Sequence, residues 1–248
     1  MYVYDVYNTK RTCRIPPDRK FGSLKNIINT YIFLTAAHCM KIDASINGTI
    51  HPNMVEVLLG RFNLFQSQEY GSANLKVASY EIHSNFKNGI NADFDLAVLS
   101  LKNVVEFNPF IKPICLWSGL TQLEDVINKT GYVVGWGEDE LNRRDIEDQQ
   151  MVMATIVSQE TCHWSDPWFV SLTSRNTFCA GDIDGFSPCN GDSGNGLILL
   201  NNITGSYELR GVVSRILPGE TIQCDPQKYV VYVDVAKYIP WIQQQISM

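Results

Sequence analysis

The sequence predicts an all-β protein. Three observations carry this: the apolar segments are short, they are separated by Gly, Pro, Asn or Asp, and only two stretches show helical spacing. Strand-like segments cover residues 55–60, 76–83, 95–101, 131–137, 151–158, 196–200, 209–214 and 229–233. Ser158, followed by Gln159 and Glu160, predicts an N-capped short helix reaching Trp164, because a serine oxygen accepts from the unpaired amides of a first helical turn. Asp234 is a second candidate cap, for a terminal helix in which Val235, Tyr238, Ile239 and Ile242 recur at helical spacing. Pro240 lacks an amide donor, so that helix is expected to start late or to bend. No repeat or linker interrupts the chain, and residues 108–113, with Pro109 and Pro113, are the candidate crossing between two halves.

Composition narrows the function classes. With 248 residues, 45% apolar and 19% charged, the chain can bury a sizeable core as one compact unit or two packed halves. A formal charge of -6 without long basic runs argues against a nucleic-acid partner. No apolar run approaches the ~18 residues of a membrane span, so no membrane partner is expected. Seven cysteines, and sequons at Asn47, Asn128 and Asn202, point to a secreted, extracellular protein with disulfides. The opening MYVYDVYNTKR has no basic segment followed by an apolar one, so it is not a signal peptide, and the N-terminus is expected to be truncated.

Three segments carry the chemistry. Amide cleavage by a serine needs a base to take the hydroxyl proton, a carboxylate to fix the tautomer of that base, and amide donors for the developing oxyanion. In the segment from Cys189 to Gly194, CNGDSG, glycines flank Ser193 and Asp192 adds a nearby charge. TAAHC places His38 after a strand, beside small residues, and DFDLAVL puts Asp95 at the mouth of an apolar strand. Zinc is the other chemistry His and Cys offer, but His38-Cys39 and Cys162-His163 are adjacent pairs without ligand spacing, so no metal or cofactor is expected.

TAAHC, DFDLAVL and CNGDSG, in that order, resemble the three signatures of the chymotrypsin-like (trypsin-like) serine protease family, whose mechanism is a general template for acyl transfer. GYVVGWG at 131–137, TFCAG at 177–181 and the stretch 229–242 match as well, so the likeness runs from about Phe21 to the end. The resemblance implies two six-stranded antiparallel Greek-key β-barrels, about 1–110 and 111–248, with a C-terminal helix packed on the first. It implies His38 as general base, Asp95 as its orienter, Ser193 as nucleophile, and the Gly191 and Ser193 amides as oxyanion donors. The substrate would be a polypeptide, hydrolysed through an acyl-enzyme on Ser193. A catalytically silent homologue that binds cascade partners is the alternative, although no triad residue is missing.

The same resemblance pairs Cys162 with Cys179 and Cys189 with Cys224. The family joins Cys39 to a cysteine just before the GGSL stretch, but Phe21 stands there in this chain (KFGSL), leaving Cys13 as the nearby substitute. Cys115 matches a position that tethers many relatives to a propeptide or light chain; it is expected to be such a tether or a buried thiol, and one cysteine is left over. A narrower resemblance is to arthropod clip-domain proteases of immune or developmental cascades. In the specificity pocket, Ser187 lies at the base, where a carboxylate would select Lys or Arg. Ser214 and Ile216 form the substrate-pairing edge, and Ile216 and Val230 narrow the entrance, implying a small aliphatic residue before the cut. In the family an N-terminal ammonium freed by activation pairs with the aspartate before the nucleophile, here Asp192. No such start precedes the first strand here, so Asp192 is expected to turn toward solvent and leave the chain zymogen-locked.

Overall fold

The computed structural model describes residues 4–5, 27–43, 46–66, 69–137, 147–182, 187–217, 225 and 227–247. In chain order the first half forms β1 (Tyr4–Asp5), β2 (Ile27–Asn29), β3 (Ile32–Thr35), a 3-10 turn (Ala37–Met40), β4 (Lys41–Asp43), β5 (Ile46–Thr49), β6 (Glu56–Leu59), β7 (Ala73–Ile82) and β8 (Ala97–Leu101). Six of these make one antiparallel sheet in the order β1-β3-β8-β7-β6, with β2 also on β3, while β4 and β5 form a separate hairpin. β1 pairs antiparallel with β3, Tyr4 with Leu34 and Asp5 with Phe33. β3 and β8 are central and apolar, and nearly every residue in them is buried.

The second half adds β9 (Cys115–Leu116), β10 (Thr130–Gly135), β11 (Gln150–Val157), β12 (Thr177–Gly181), β13 (Gly196–Asn201), β14 (Ser206–Ile216) and β15 (Val230–Asp234). The order β13-β10-β11-β12-β15-β14, with β13 paired to β14, closes a six-stranded antiparallel barrel, and β9 joins β14 in parallel. Its interior holds Val133, Ile156, Leu197, Leu199 and Val213 around Phe178 and Tyr232, which are register partners with rings stacked 5.3 Å apart. The fold is therefore all-β with one closed barrel and a second six-stranded sheet that stays open among the described residues.

The helices follow the caps. α1 (Gln159–Ser165) begins where the Thr161 amide donates to Ser158 Oγ at 3.0 Å. A second short helix, α2 (Phe169–Leu172), has no counterpart in the sequence reading. At the C-terminus Asp234 caps a 3-10 turn (Val235–Lys237) through the Ala236 amide, and α3 (Ile239–Ile246) starts only after it. Pro240 then falls in the first turn, where a missing N–H leaves nothing unpaired, so the late start is realised. The rings of Tyr238 and Trp241 lie 5.5 and 4.8 Å from that of His83, and Tyr238 also meets Phe94, which docks the terminal helix on the first half. No helix among the described residues is long and apolar enough to cross a membrane.

One polar cluster lies inside the second half. Arg210, fully buried on β14, pairs with the buried Asp234, and its guanidinium lies 5.0 Å over the Trp117 ring and 5.6 Å over that of Phe178. A strand irregularity between Leu197 and Ile198 offsets the β13–β14 register at this residue.

Candidate active site

β3 runs directly into the 3-10 turn that carries His38, and β8 begins two residues after Asp95. Because β3 and β8 are paired, with Thr35 opposite Ala97, the two side chains meet at the same end of the sheet. His38 Nδ1 lies 2.7 Å from Asp95 Oδ2, and the His38 amide donates to Asp95 Oδ1, also at 2.7 Å. Asp95 is 0% exposed. Burial alone would raise its carboxyl, but the His38 imidazole, the Arg215 guanidinium and the Ser214 hydroxyl outweigh burial and hold it below the ordinary value. For His38 burial acts downward, and the Asp95 charge and hydrogen bond overcome it, so the imidazole is raised above 6.5.

The turn before Asp95 is held from several sides. Phe94 has φ of 57°, a left-handed conformation that a bulky residue adopts only under constraint. Its amide donates to Tyr238 Oη at 3.1 Å, and its ring stacks on His83 with centroids 4.8 Å apart. The Tyr238 hydroxyl donates to Asp93 Oδ1, which also accepts from Asn176 Nδ2. The C-terminal element and β12's approach thus fix the backbone that presents Asp95.

The Ser193 turn meets the His38 turn through Gly194. The Gly194 amide donates to the Val213 carbonyl at 2.9 Å, and its φ is 84°. A Cβ there would collide with Thr35 Oγ1 and come within 3.4 Å of the Ala36 amide nitrogen and 3.5 Å of Cys39 Sγ, so only glycine permits this approach. Ser193, half-buried, is the residue next to this close approach. The amides of Gly191 and Ser193 have no hydrogen-bond acceptor among the described residues. Nε2 of His38 has Cys39 Sγ at 3.6 Å.

Asp192 corrects one expectation. It does not turn toward solvent: it is buried, its Oδ1 accepts from the Gly137 amide (3.1 Å) and Asn195 Nδ2 (3.2 Å), and its Oδ2 accepts from the Cys189 amide (3.1 Å). These N–H donors favour the ionised form of the buried carboxylate.

The cysteines divide partly as expected. Cys162 and Cys179 form a disulfide, and Cys189 is disulfide-bonded, with its expected partner Cys224 outside the described residues. One expectation is overturned. Cys39 is a free, buried thiol rather than the partner of Cys13, because its side chain is turned into the seam between His38 and Gly194. Cys115 is disulfide-bonded, which excludes the buried thiol of its two readings. Cys13 lies outside the described residues.

Of the pocket residues, Ser187 is buried against Gly181, with no hydrogen-bond partner for its hydroxyl among the described residues. Ile216 and Val230 are register partners on β14 and β15. Ser214 has a further role: buried, it donates to Asp95 Oδ2 at 2.5 Å. Sequence reasoning missed Arg215, whose Nη1 donates to the same oxygen at 2.8 Å, and Tyr238; a charged residue inside the substrate-pairing segment was the available signal for the first. Among the described residues no three His, Cys, Asp or Glu side chains are grouped to hold a metal ion.

A β fold with a closed six-stranded barrel, a histidine paired with a buried aspartate and an adjoining Gly-Asp-Ser-Gly turn defines the chymotrypsin-like class of serine protease. Residues 24–242 match the family described as Trypsin. The chain is 34% identical to serine protease gd of Drosophila melanogaster, over 88% of this chain and 46% of that protein. It is 31% identical to chymotrypsin-C of Rattus norvegicus, over 90% of this chain and 77% of the relative. Limulus clotting factor C of Carcinoscorpius rotundicauda is 30% identical over 89% of this chain, which spans 22% of that protein. The chain belongs to the Trypsin family of serine proteases, and it spans about half or less of the length of two of these relatives.

Proposed function

We propose that the chain is a secreted serine endopeptidase that acts in an extracellular proteolytic cascade. The observation that supports it most directly is the 2.7 Å contact between His38 Nδ1 and the buried Asp95, with the Ser193 turn packed on the residues around His38. With Nδ1–H held by Asp95, the Nε2 lone pair takes the Ser193 proton as Oγ bonds to the scissile carbonyl carbon. The Gly191 and Ser193 amides receive the oxyanion, and the imidazolium gives its proton to the leaving amine as the C–N bond breaks. Water, deprotonated by His38, then hydrolyses the ester and restores Ser193.

Ser187, Ser214, Ile216 and Val230 form the specificity pocket in this reading. With serine and no carboxylate at its base, and Ile216 and Val230 side by side at the wall, it takes a small or medium aliphatic side chain. An unpaired ammonium there costs several kcal/mol, on the order of a hundredfold or more in rate. The cascade setting rests on the likeness to serine protease gd and Limulus clotting factor C, and secretion on the cysteines and sequons. Asp192 is the activation-linked residue, and its N–H donors hold the oxyanion turn. A silent, zymogen-locked homologue is the second reading; it draws on the engagement of His38 Nε2 with Cys39 rather than Ser193 among the described residues.

A peptide-ester panel and a proteome-derived peptide library test both. Turnover with cleavage after Ala, Val, Leu or similar residues is the expected result. A profile dominated by Arg or Lys would overturn the pocket, and no turnover at high enzyme concentration would favour the silent homologue.

A further inference from the structure

Arg215 stands beside the catalytic pair because of a fault in strand pairing. Along β14 and β15, Val213 pairs with Tyr232 and Arg215 with Val231, so Ser214 is skipped. Such a bulge re-aims the next side chain, and here it sends the guanidinium inward over Asp95. Nη1 donates to Asp95 Oδ2 at 2.8 Å and to the Ser214 carbonyl at 3.1 Å, and sits 3.0 Å from His38 Nδ1. Nε donates to the Ile90 carbonyl at 3.2 Å and Nη2 to that of Gly89 at 3.1 Å. All three nitrogens are engaged, and the side chain is 16% exposed. A solvent-facing arginine has no such fixed geometry.

We propose that Arg215 is a positioning residue that competes with His38 for the Asp95 carboxylate and so opposes the build-up of positive charge on the imidazole. Two N–H donors, His38 Nδ1 and Arg215 Nη1, share one oxygen, Asp95 Oδ2, with the Ser214 hydroxyl as a third. When His38 takes the Ser193 proton, the new imidazolium faces a fixed guanidinium at hydrogen-bond range, and the carboxylate between them is already partly neutralised. The inference deepens the peptidase reading and rests on it for its effect on rate. Other titratable groups around the pair are Cys39 on the histidine's own turn, Asp93 before the Phe94 turn, Tyr238 from the C-terminal element and His83 stacked on Phe94. None of these is a cation hydrogen-bonded to the triad carboxylate, and Arg215 is the basic side chain that is, among the described residues.

The test is a direct titration of His38 by nuclear magnetic resonance, following imidazole carbon and nitrogen shifts in wild type, Arg215→Met and Arg215→Lys. Loss of the cation in Arg215→Met raises the His38 midpoint by between about one and two pH units. Arg215→Lys, which keeps the charge, stays within about half a unit of wild type. Arg215→Gln, which keeps a donor but not the charge, moves with Arg215→Met and carries the test if that variant does not fold. The acid limb of covalent labelling by a fluorophosphonate shifts upward in step, lowering the rate on that limb about tenfold for each unit. An unchanged or lowered midpoint in the uncharged variants overturns the proposal. Absence of labelling in wild type would instead count against the peptidase reading, and the titration would still decide the role of Arg215.

Discussion

Replacing Asp95 with asparagine sets a nearly isosteric amide where four hydrogen bonds converge. Oδ1 accepts from the His38 amide at 2.7 Å; Oδ2 accepts from His38 Nδ1 at 2.7 Å, Ser214 Oγ at 2.5 Å and Arg215 Nη1 at 2.8 Å. An asparagine keeps one oxygen and gains an NH2 group, so every orientation brings donor against donor. With its oxygen toward Ser214 and Arg215, the amide nitrogen meets the His38 N–H. Turned round, it drives His38 into the tautomer that accepts at Nδ1, which leaves Nε2 protonated and unable to take the Ser193 proton. The imidazolium formed during acylation also loses its counter-ion. Together these lower the acylation rate about 10⁴-fold, or about 5 kcal/mol at 1.36 kcal/mol per decade. A charge-assisted hydrogen bond contributes about 1.5–3 kcal/mol, so the unfolding free energy falls by about 2–4 kcal/mol. Fluorophosphonate labelling kinetics and urea denaturation read the two effects. Labelling within tenfold of wild type would refute the reasoning, because it would mean that Asp95 neither fixes the tautomer nor stabilises the charge.

Three further outcomes follow from the same structure. His38 is raised above 6.5, and only its neutral form takes a proton from Ser193, so labelling rises with pH along a limb on the alkaline side of that value. Stability has the opposite sign: folded His38 holds its proton more tightly than the unfolded chain, so its contribution is complete below pH 6.5 and is lost as pH climbs through the folded midpoint. The stability difference between wild type and His38→Ala therefore shrinks on going from pH 6 to more alkaline buffers, and a constant difference would contradict the assignment. Arg210→Ala leaves the Asp234 carboxylate buried without its cation and removes the contact with Trp117 and Phe178. It should cost about 3–5 kcal/mol by urea denaturation, and a loss under 1 kcal/mol would show the pair to be dispensable.

What was legible in the sequence was what depends on local order. The segments TAAHC, DFDLAVL and CNGDSG place an imidazole, a carboxylate and a hydroxyl near strand ends, and the structure brings their turns together. Ser158 as a cap and the late start forced by Pro240 were legible for the same reason, since a cap and a missing donor act within a few residues. What could not be read depends on pairing between distant segments. Arg215 reaches Asp95 only because the β14–β15 register skips Ser214, and nothing in Ser-Arg-Ile announces a bulge. Asp192 accepts from the backbone amides of Gly137 and Cys189 and from the Asn195 side chain, donors that only the fold aims at it. Likewise, which cysteine stays free is a matter of where each thiol points, and Cys39 points into the seam between His38 and Gly194.

Mapping a fluorophosphonate adduct by tandem mass spectrometry tests the central claim most directly, namely that His38 and Asp95 activate Ser193 as a nucleophile. The account predicts a single adduct on Ser193 that is lost in Ser193→Ala and reduced at least a thousandfold in His38→Ala, while both variants keep the wild-type circular dichroism spectrum. An adduct on another residue, or labelling that survives Ser193→Ala, would contradict it.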